Sequence, residues 1–209
     1  MKVIAVTGQK GGSGKTTLSV NLAGYFASNG VPVAILDRDP QNAVRTWADQ
    51  RADGELPFNI HDELDAKIPV ILGVLKKADF KVCIIDTAPT VGGAFLEVPH
   101  YADLVLMPCR PSLLDIQSLV DSFAILSAKF PKVLAMAVLT QVTERLQITK
   151  KSEKVLSEAS IRILNTRIGS RAIYQNTFSE GKTVFDSKKN HGAKEIQAIA
   201  EEIKILIGL

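Results

Sequence analysis

The chain has 209 residues, of which 46% are hydrophobic and 22% charged, with a formal net charge of +3. That length supports a sizeable core, and the balance is that of an ordinary globular domain, which argues against a disordered or fibrous chain. No apolar run approaches the roughly 18–20 residues that cross a bilayer, and Met1-Lys2-Val3-Ile4 runs straight into a strand pattern, which argues against a signal peptide.

Lys2–Val6 reads as a first strand, short and β-branched, of the kind buried on both faces. The segment from Thr16 to about Ser28 carries Leu18, Leu22, Tyr25 and Phe26 at helical spacing and ends at Asn29-Gly30. Val31–Leu36 is a second buried strand leading into Asp37-Arg38-Asp39-Pro40-Gln41. Asn42–Ala52 reads as a helix, Phe58-Asn59-Ile60 as a short strand, and Leu64–Lys77 as a helix whose start Pro69 disturbs. Lys81–Asp86 is a third strong strand ending in an acid, and Thr87–Gly93 is a loop able to switch conformation. Ala102–Met107 is a fourth strand, closed by Pro108-Cys109-Arg110-Pro111. A helix over Leu114–Ala128, a strand over Val133–Thr140 and a helix over Gln147–Ala159 follow. Arg162-Ile163-Leu164 reads as a short strand, Arg171–Phe178 as a short helix, and Ala193–Ile207 as an amphipathic helix stopped by Gly208. Strands alternating with helices at this spacing predict one doubly wound, mainly parallel α/β sheet with helices on both faces, a P-loop NTPase fold in a single 1–209 domain.

Cys83 and Cys109 lie far apart in or beside apolar runs and lack cluster-type spacing. They read as buried free thiols, consistent with a reducing cytoplasm. Charge is uneven: Arg145 to Lys194 holds eleven Lys/Arg against four Asp/Glu, a local +7 against −4 for the rest. Such a segment is either a polyanion-facing surface or a solvated, lysine-rich exterior, and charge alone does not choose.

The chemistry concentrates in Gly8-Gln9-Lys10-Gly11-Gly12-Ser13-Gly14-Lys15-Thr16-Thr17, between the first strand and the first helix. A glycine-rich turn at a helix N-terminus gathers backbone N–H groups around an anion. Gly14-Lys15-Thr16 completes a phosphate-binding pattern, with Lys15 for the β/γ-phosphates and the Thr16 hydroxyl for Mg²⁺. The standard formula wants a glycine five residues before Gly14, where Gln9 stands, and the loop instead holds a second lysine, Lys10. Asp37, Asp39 and Asp86 end strands at the sheet edge where such folds bind ligands, so they are candidates for supporting Mg²⁺ and positioning water.

Together, Lys10–Thr17, Asp37-Arg38-Asp39-Pro40-Gln41 and Ile84-Ile85-Asp86 resemble the ParA/MinD family of deviant Walker A P-loop ATPases, closest to the short partition ATPases. Val105–Pro108 with Ser112–Asp115 resembles the family's later strand and pocket loop, and Gly181–Asp186 with the last helix resembles its C-terminal end. The resemblance implies ATP and Mg²⁺ as cofactors, and it implies roles. Lys10 would reach the partner's phosphates across a nucleotide-sandwich homodimer. Lys15 would neutralise the β/γ-phosphates, Thr16 would ligate Mg²⁺, and Thr17 would contact the α-phosphate. Gly11, Gly12, Ser13 and Gly14 would give amides, Asp39 would orient water, and Asp37 and Asp86 would support Mg²⁺. Thr87-Ala88-Pro89 departs from the family's Pro-Pro, and Gln141 stands where relatives have a base-reading asparagine, so Pro108 and Gln141 are candidate base contacts only by position.

Within the resemblance, an acid-bearing last helix (Glu195, Glu201, Glu202) argues against MinD-like membrane binding. The basic surplus favours nonspecific DNA held through phosphates, with Lys150, Lys151, Lys154, Arg167, Arg171, Lys188 and Lys189 as candidates. No helix-turn-helix segment precedes the first strand. The implied protein is a cytoplasmic, nucleoid-associated ATPase, weak alone and stimulated by DNA and by a ParB-like or other small adaptor. It would segregate plasmid or chromosomal DNA, or alternatively position a protein cargo such as chemoreceptor arrays or carboxysomes. A MinD-like regulator and a metabolic P-loop enzyme are more distant alternatives.

Overall fold

In β1 (Lys2–Val6), Ile4 and Val6 belong to one apolar cluster while Val3 and Ala5 belong to another. Side chains alternate across a strand, so this central strand must be covered on both faces. The computed structural model describes residues 1–52, 54–90, 92–143, 147–187 and 189–209. It shows six parallel strands in the order β3-β2-β4-β1-β5-β6, adding β2 (Val33–Arg38), β3 (Asn59–His61), β4 (Val82–Thr87), β5 (Leu104–Cys109) and β6 (Ala135–Leu139).

One face carries α1 (Lys15–Ser28), α2 (Ala43–Ala48), α7 (Ala172–Ser179) and α8 (His191–Ile207), with Phe26, Trp47, Tyr174 and Ile199 buried among them. The other carries α3 (Ile68–Lys77), α4 (Ala94–Glu97), α5 (Leu113–Lys129) and α6 (Gln147–Glu158), through Leu75, Phe95, Phe123 and Leu156. Burying one such side chain fully is worth about 1.5–3 kcal/mol, so each layer holds its face of the sheet by many small gains. A turn of 3₁₀ helix, Val98–His100, connects α4 to β5. Among the described residues no helix is long and apolar enough to cross a membrane.

Several sequence boundaries shift for identifiable reasons. α3 begins at Ile68 rather than Leu64, because Pro69 fits only the first helical turn, where its missing N–H costs nothing. α2 stops at Ala48 instead of reaching Ala52. β5 runs through Pro108 to Cys109, and this is tolerated because pairing with β1 ends at Leu106, so no β1 acceptor faces the absent donor. Arg162–Leu164 is not a strand but a single bridge, with Leu164 N and Arg162 O on Ala137. Cys83 and Cys109 are buried, and burial pushes both thiols up to about 12, which leaves them unreactive.

The stretch Gly181–Asp186 fastens the first layer. Lys182 O accepts from Trp47 Nε1 at 3.2 Å, Val184 N donates to Asn21 Oδ1 at 2.8 Å, and Arg51 pairs with Asp186 at 2.9 Å. Gly181 has φ +64°, and a Cβ there would sit 2.4 Å from Arg51 N, against rigid backbone. Gly181→Ala is therefore expected to lower stability by about 2–4 kcal/mol, the sum of backbone strain and overlap. A chemical-denaturation midpoint checks this, and an unchanged midpoint would show that the turn relaxes freely.

Candidate nucleotide-binding site

The loop between β1 and α1 turns into the helix at Gly14, whose φ of +91° suits glycine and supplies the helix start without a side-chain cap. Two side chains from the end of β6 hold the loop's carbonyls: Thr140 Oγ1 donates to Ser13 O at 2.8 Å and Gln141 Nε2 to Gly12 O at 2.7 Å. Ser13 Oγ and Lys15 Nζ both donate to Lys10 O, at 3.2 and 3.0 Å. With the carbonyls of Lys10, Gly12 and Ser13 engaged, the loop keeps the amides of residues 9–14 without a protein acceptor among the described residues. A ring of unspent N–H groups at a helix N-terminus is an anion cradle.

The two loop lysines point differently. Lys15 is 7% exposed, and burial lowers its pKa while Asp86 and Asp39 pull it back up, so its positive charge faces the acids. Lys10 is exposed, and its ammonium has no hydrogen-bond or ion-pair partner among the described residues.

Asp37 and Asp86 are register partners on β2 and β4, and Asp86 lies level with Val6 of β1. Asp86 is fully buried, and burial raises its pKa to about 7, against the hydroxyls of Thr16 and Ser19, which donate to its two oxygens at 2.7 Å each. Asp37 is also raised by burial, although Asp39 N and Val44 N donate to its carboxylate at 2.9 and 3.1 Å. Both its oxygens thus already cap the turn into α2, the structural use of an acid after a strand. Asp39 lies beside it, 7% exposed, with Oδ1 accepting from Gln41 N at 2.9 Å. Two buried, upward-shifted carboxylates with the Thr16 hydroxyl form an all-oxygen set short of positive charge. No cluster of three or more His, Cys, Asp or Glu suited to a metal occurs among the described residues. Mg²⁺ asks for less, one or two protein oxygens with the rest from phosphate and water, and Thr16 and Asp86 fit that demand.

Beside Gly14 and Thr17 opens a cavity of about 490 Å³, walled by Thr140, Gln141, residues 168–172 and Tyr174. The size suits a nucleoside. Its far wall is tied by Glu195, which accepts from Arg171 Nε at 2.7 Å and from the Tyr174 hydroxyl at 2.8 Å. Burial and that carboxylate push the tyrosine upward, so it keeps its proton and donates.

The structure sorts the expected residues. Lys10, Gly11, Gly12, Ser13, Gly14, Lys15, Thr16, Thr17, Asp37, Asp39 and Asp86 converge at one sheet edge. Gln141 lines the large cavity, but Pro108 does not: it is buried in β5 in a small cleft with Gly8, Lys10 and Asp115, on another side of the loop. Arg171 pairs with Glu195 in the cavity wall. Arg167 pairs with Glu153, and Lys154 lies 3.8 Å from Glu158. Lys150, Lys151 and Lys189 are exposed, and Lys188 lies outside the described residues. Within the basic segment α6 packs on one face of the sheet and α7 and α8 on the other, and the Arg167–Glu153 pair links α6 to the stretch before α7. Ser19, Thr140 and Glu195 were missed; only Ser19 had a local signal, standing one helical turn after Thr16.

A phosphate loop, buried acids on adjacent strand ends and a nucleoside-sized cavity define a P-loop nucleotide-binding protein. Residues 4–184 match the CobQ/CobB/MinD/ParA nucleotide-binding domain, and the chain belongs to that family. It is 29% identical to Maintenance of carboxysome distribution protein A of Halothiobacillus neapolitanus, over 96% of this chain and 95% of that one. It is also 29% identical to Protein ParA of Rhizobium radiobacter, over 92% and 89% of the two chains. Among solved structures, the MinD cell division protein of Aquifex aeolicus shares the fold with a TM-score of 0.79 at 16% identity, over 97% of both chains.

Proposed function

We propose that the 1–209 chain is a positioning ATPase of the ParA branch, in which ATP closes a homodimer and hydrolysis reopens it. The observation that carries this reading is the division of labour between the two loop lysines: Lys15 is buried toward the acids, while Lys10 is exposed beside them. In this reading Lys15 and the loop amides hold the phosphates, Thr16 and Asp86 hold Mg²⁺ with Asp37 behind them, and Asp39 orients water. Thr17 and Gln141 face the nucleoside side. Bound Mg²⁺ supplies charge neutralisation at the phosphates; Asp39 supplies the acceptor that aligns water.

The ATP form would hold nonspecific DNA through Lys150, Lys151 and Lys154, the exposed lysines of α6, and a small adaptor would stimulate hydrolysis and release. This makes the protein cytoplasmic and nucleoid-associated while ATP is bound. Its proposed cargo is a DNA replicon or a protein assembly: one relative is named for carboxysome distribution and one solved neighbour for plasmid partition. The acids of α8 have partners within the chain: Glu201 with Tyr25 and Lys204, Glu202 with the amides of Asn165 and Thr166. The apolar stripe Ile196, Ile199, Ile203 and Ile207 is buried in the core.

Retention on random-sequence duplex DNA should require ATP and Mg²⁺ and fall steeply with salt, by about tenfold or more between 50 and 200 mM if three phosphates are neutralised. The Lys150→Ala, Lys151→Ala double variant should lose most of it. ATP-independent or salt-insensitive binding would refute the DNA reading. Capture of bound partners by an Asp39→Ala variant, expected to be arrested with ATP, would identify the cargo.

A further inference from the structure

Glu195 sits on α8 next to the buried Ile196, where an acid on the flank of an amphipathic helix would ordinarily face solvent. Its carboxylate turns inward instead and is 15% exposed. Oε1 accepts from Arg171 Nε at 2.7 Å; Oε2 accepts from the Tyr174 hydroxyl at 2.8 Å and from Gly169 N at 3.2 Å. All three donors lie within six residues, and all three residues line the 490 Å³ cavity. From the other side the same stretch is fixed by Val142, whose N donates to Ile168 O and whose O accepts from Ser170 N, both at 2.9 Å. The wall is thus held between two anchors, one from β6's extension and one from α8. Close packing supports the same arrangement: a Cβ at Gly169 would meet Glu195 Oε1 and Arg171 Nε at 3.0 Å.

We propose that Glu195 is a positioning residue for nucleotide recognition, clamping Gly169, Arg171 and Tyr174 into the wall against which the nucleoside packs. The proposal rests on the nucleotide reading of the phosphate loop and adds a residue that touches neither phosphate nor metal. Charge-assisted hydrogen bonds to one carboxylate are about twice as strong as neutral ones and fix direction, as a binding wall requires. A glutamine in this place keeps the volume and one acceptor oxygen, but its amide NH₂ cannot accept, so at least one of the three donors loses its bond to this side chain. The effect must fall on the nucleoside and spare the phosphates, because the phosphate loop is held by Thr140 and Gln141 and not by α8.

The test compares two probes, ADP and inorganic tripolyphosphate, by calorimetric titration of the full-length wild type, Glu195→Gln and Tyr174→Phe. ADP affinity should fall about fivefold to twentyfold in Glu195→Gln and about twofold to fivefold in Tyr174→Phe, which loses the hydroxyl's bonds to Glu195 and to Gly192 O. Tripolyphosphate affinity should stay within about twofold of wild type, which a general loosening of the site would not allow. ADP affinity unchanged in the variants, or ADP and tripolyphosphate affinities falling together, would overturn the proposal. If Glu195→Gln does not fold, Tyr174→Phe decides on the same criterion. A wild type that fails to bind ADP at all would instead reject the nucleotide reading itself and the proposal with it.

Discussion

Lys15→Ala is expected to cut ATP affinity and turnover together by at least about a hundredfold, the cost of removing one preorganised group from developing phosphate charge. Lys15 is buried, and its ammonium donates to Lys10 O while feeling the fields of Asp86 and Asp39. It is therefore held at the junction between the anion cradle and the acids, where a bound triphosphate would bring its charge. The substitution also removes positive charge from Asp86, which burial already lifts to about 7, so the variant should be checked for folding by its thermal transition. Fluorescent-nucleotide binding and phosphate release would be measured on the folded variant. Unchanged affinity and turnover would remove the phosphate-loop assignment, and every role argued for Thr16 and Asp86 with it.

The phosphate cradle was legible because its information is local. Gly14, Lys15 and Thr16 are contiguous, and the strand before them reads from four consecutive apolar residues. Asp37 and Asp86 were legible for a related reason: both end apolar runs, and parallel pairing brings such ends into register. What stayed hidden depends on distant partners. The cavity wall around residues 168–174 is braced by Val142 and by Glu195, the latter more than twenty residues later, and nothing near either segment announces it. The pairing of Arg171 with Glu195 stayed hidden too, because a sequence window counts charge and cannot see the carboxylate opposite. The same window merged α6 with α8, although the sheet separates them. Pro108 was placed with Gln141 because both follow strand patterns at the ligand edge. Its strand, however, runs on through Cys109, which leaves the proline buried beside Gly8 and Lys10.

Lys10→Ala is expected to leave ATP binding within about threefold of wild type while abolishing ATP-dependent dimerisation. Its backbone carbonyl anchors Lys15 and Ser13, and alanine keeps that carbonyl, so the cradle should survive. The side chain is another matter: it is exposed on the loop rim with its ammonium unpaired among the described residues. Closing two copies over two nucleotides brings several negative charges into a desolvated interface. Removing one buried partner of such a charge costs about 2–5 kcal/mol, or roughly thirtyfold to several thousandfold in the dimer dissociation constant. Light scattering of the Lys10→Ala, Asp39→Ala double variant against Asp39→Ala alone, each with ATP and Mg²⁺, measures this without turnover. A dimer of undiminished stability would refute the cross-dimer role. Loss of the dimer together with ATP binding would show instead that Lys10 serves its own site. Only loss of the dimer with binding retained fits a lysine directed at the second copy, and it would make the closed dimer, not nucleotide capture, the state that hydrolysis ends.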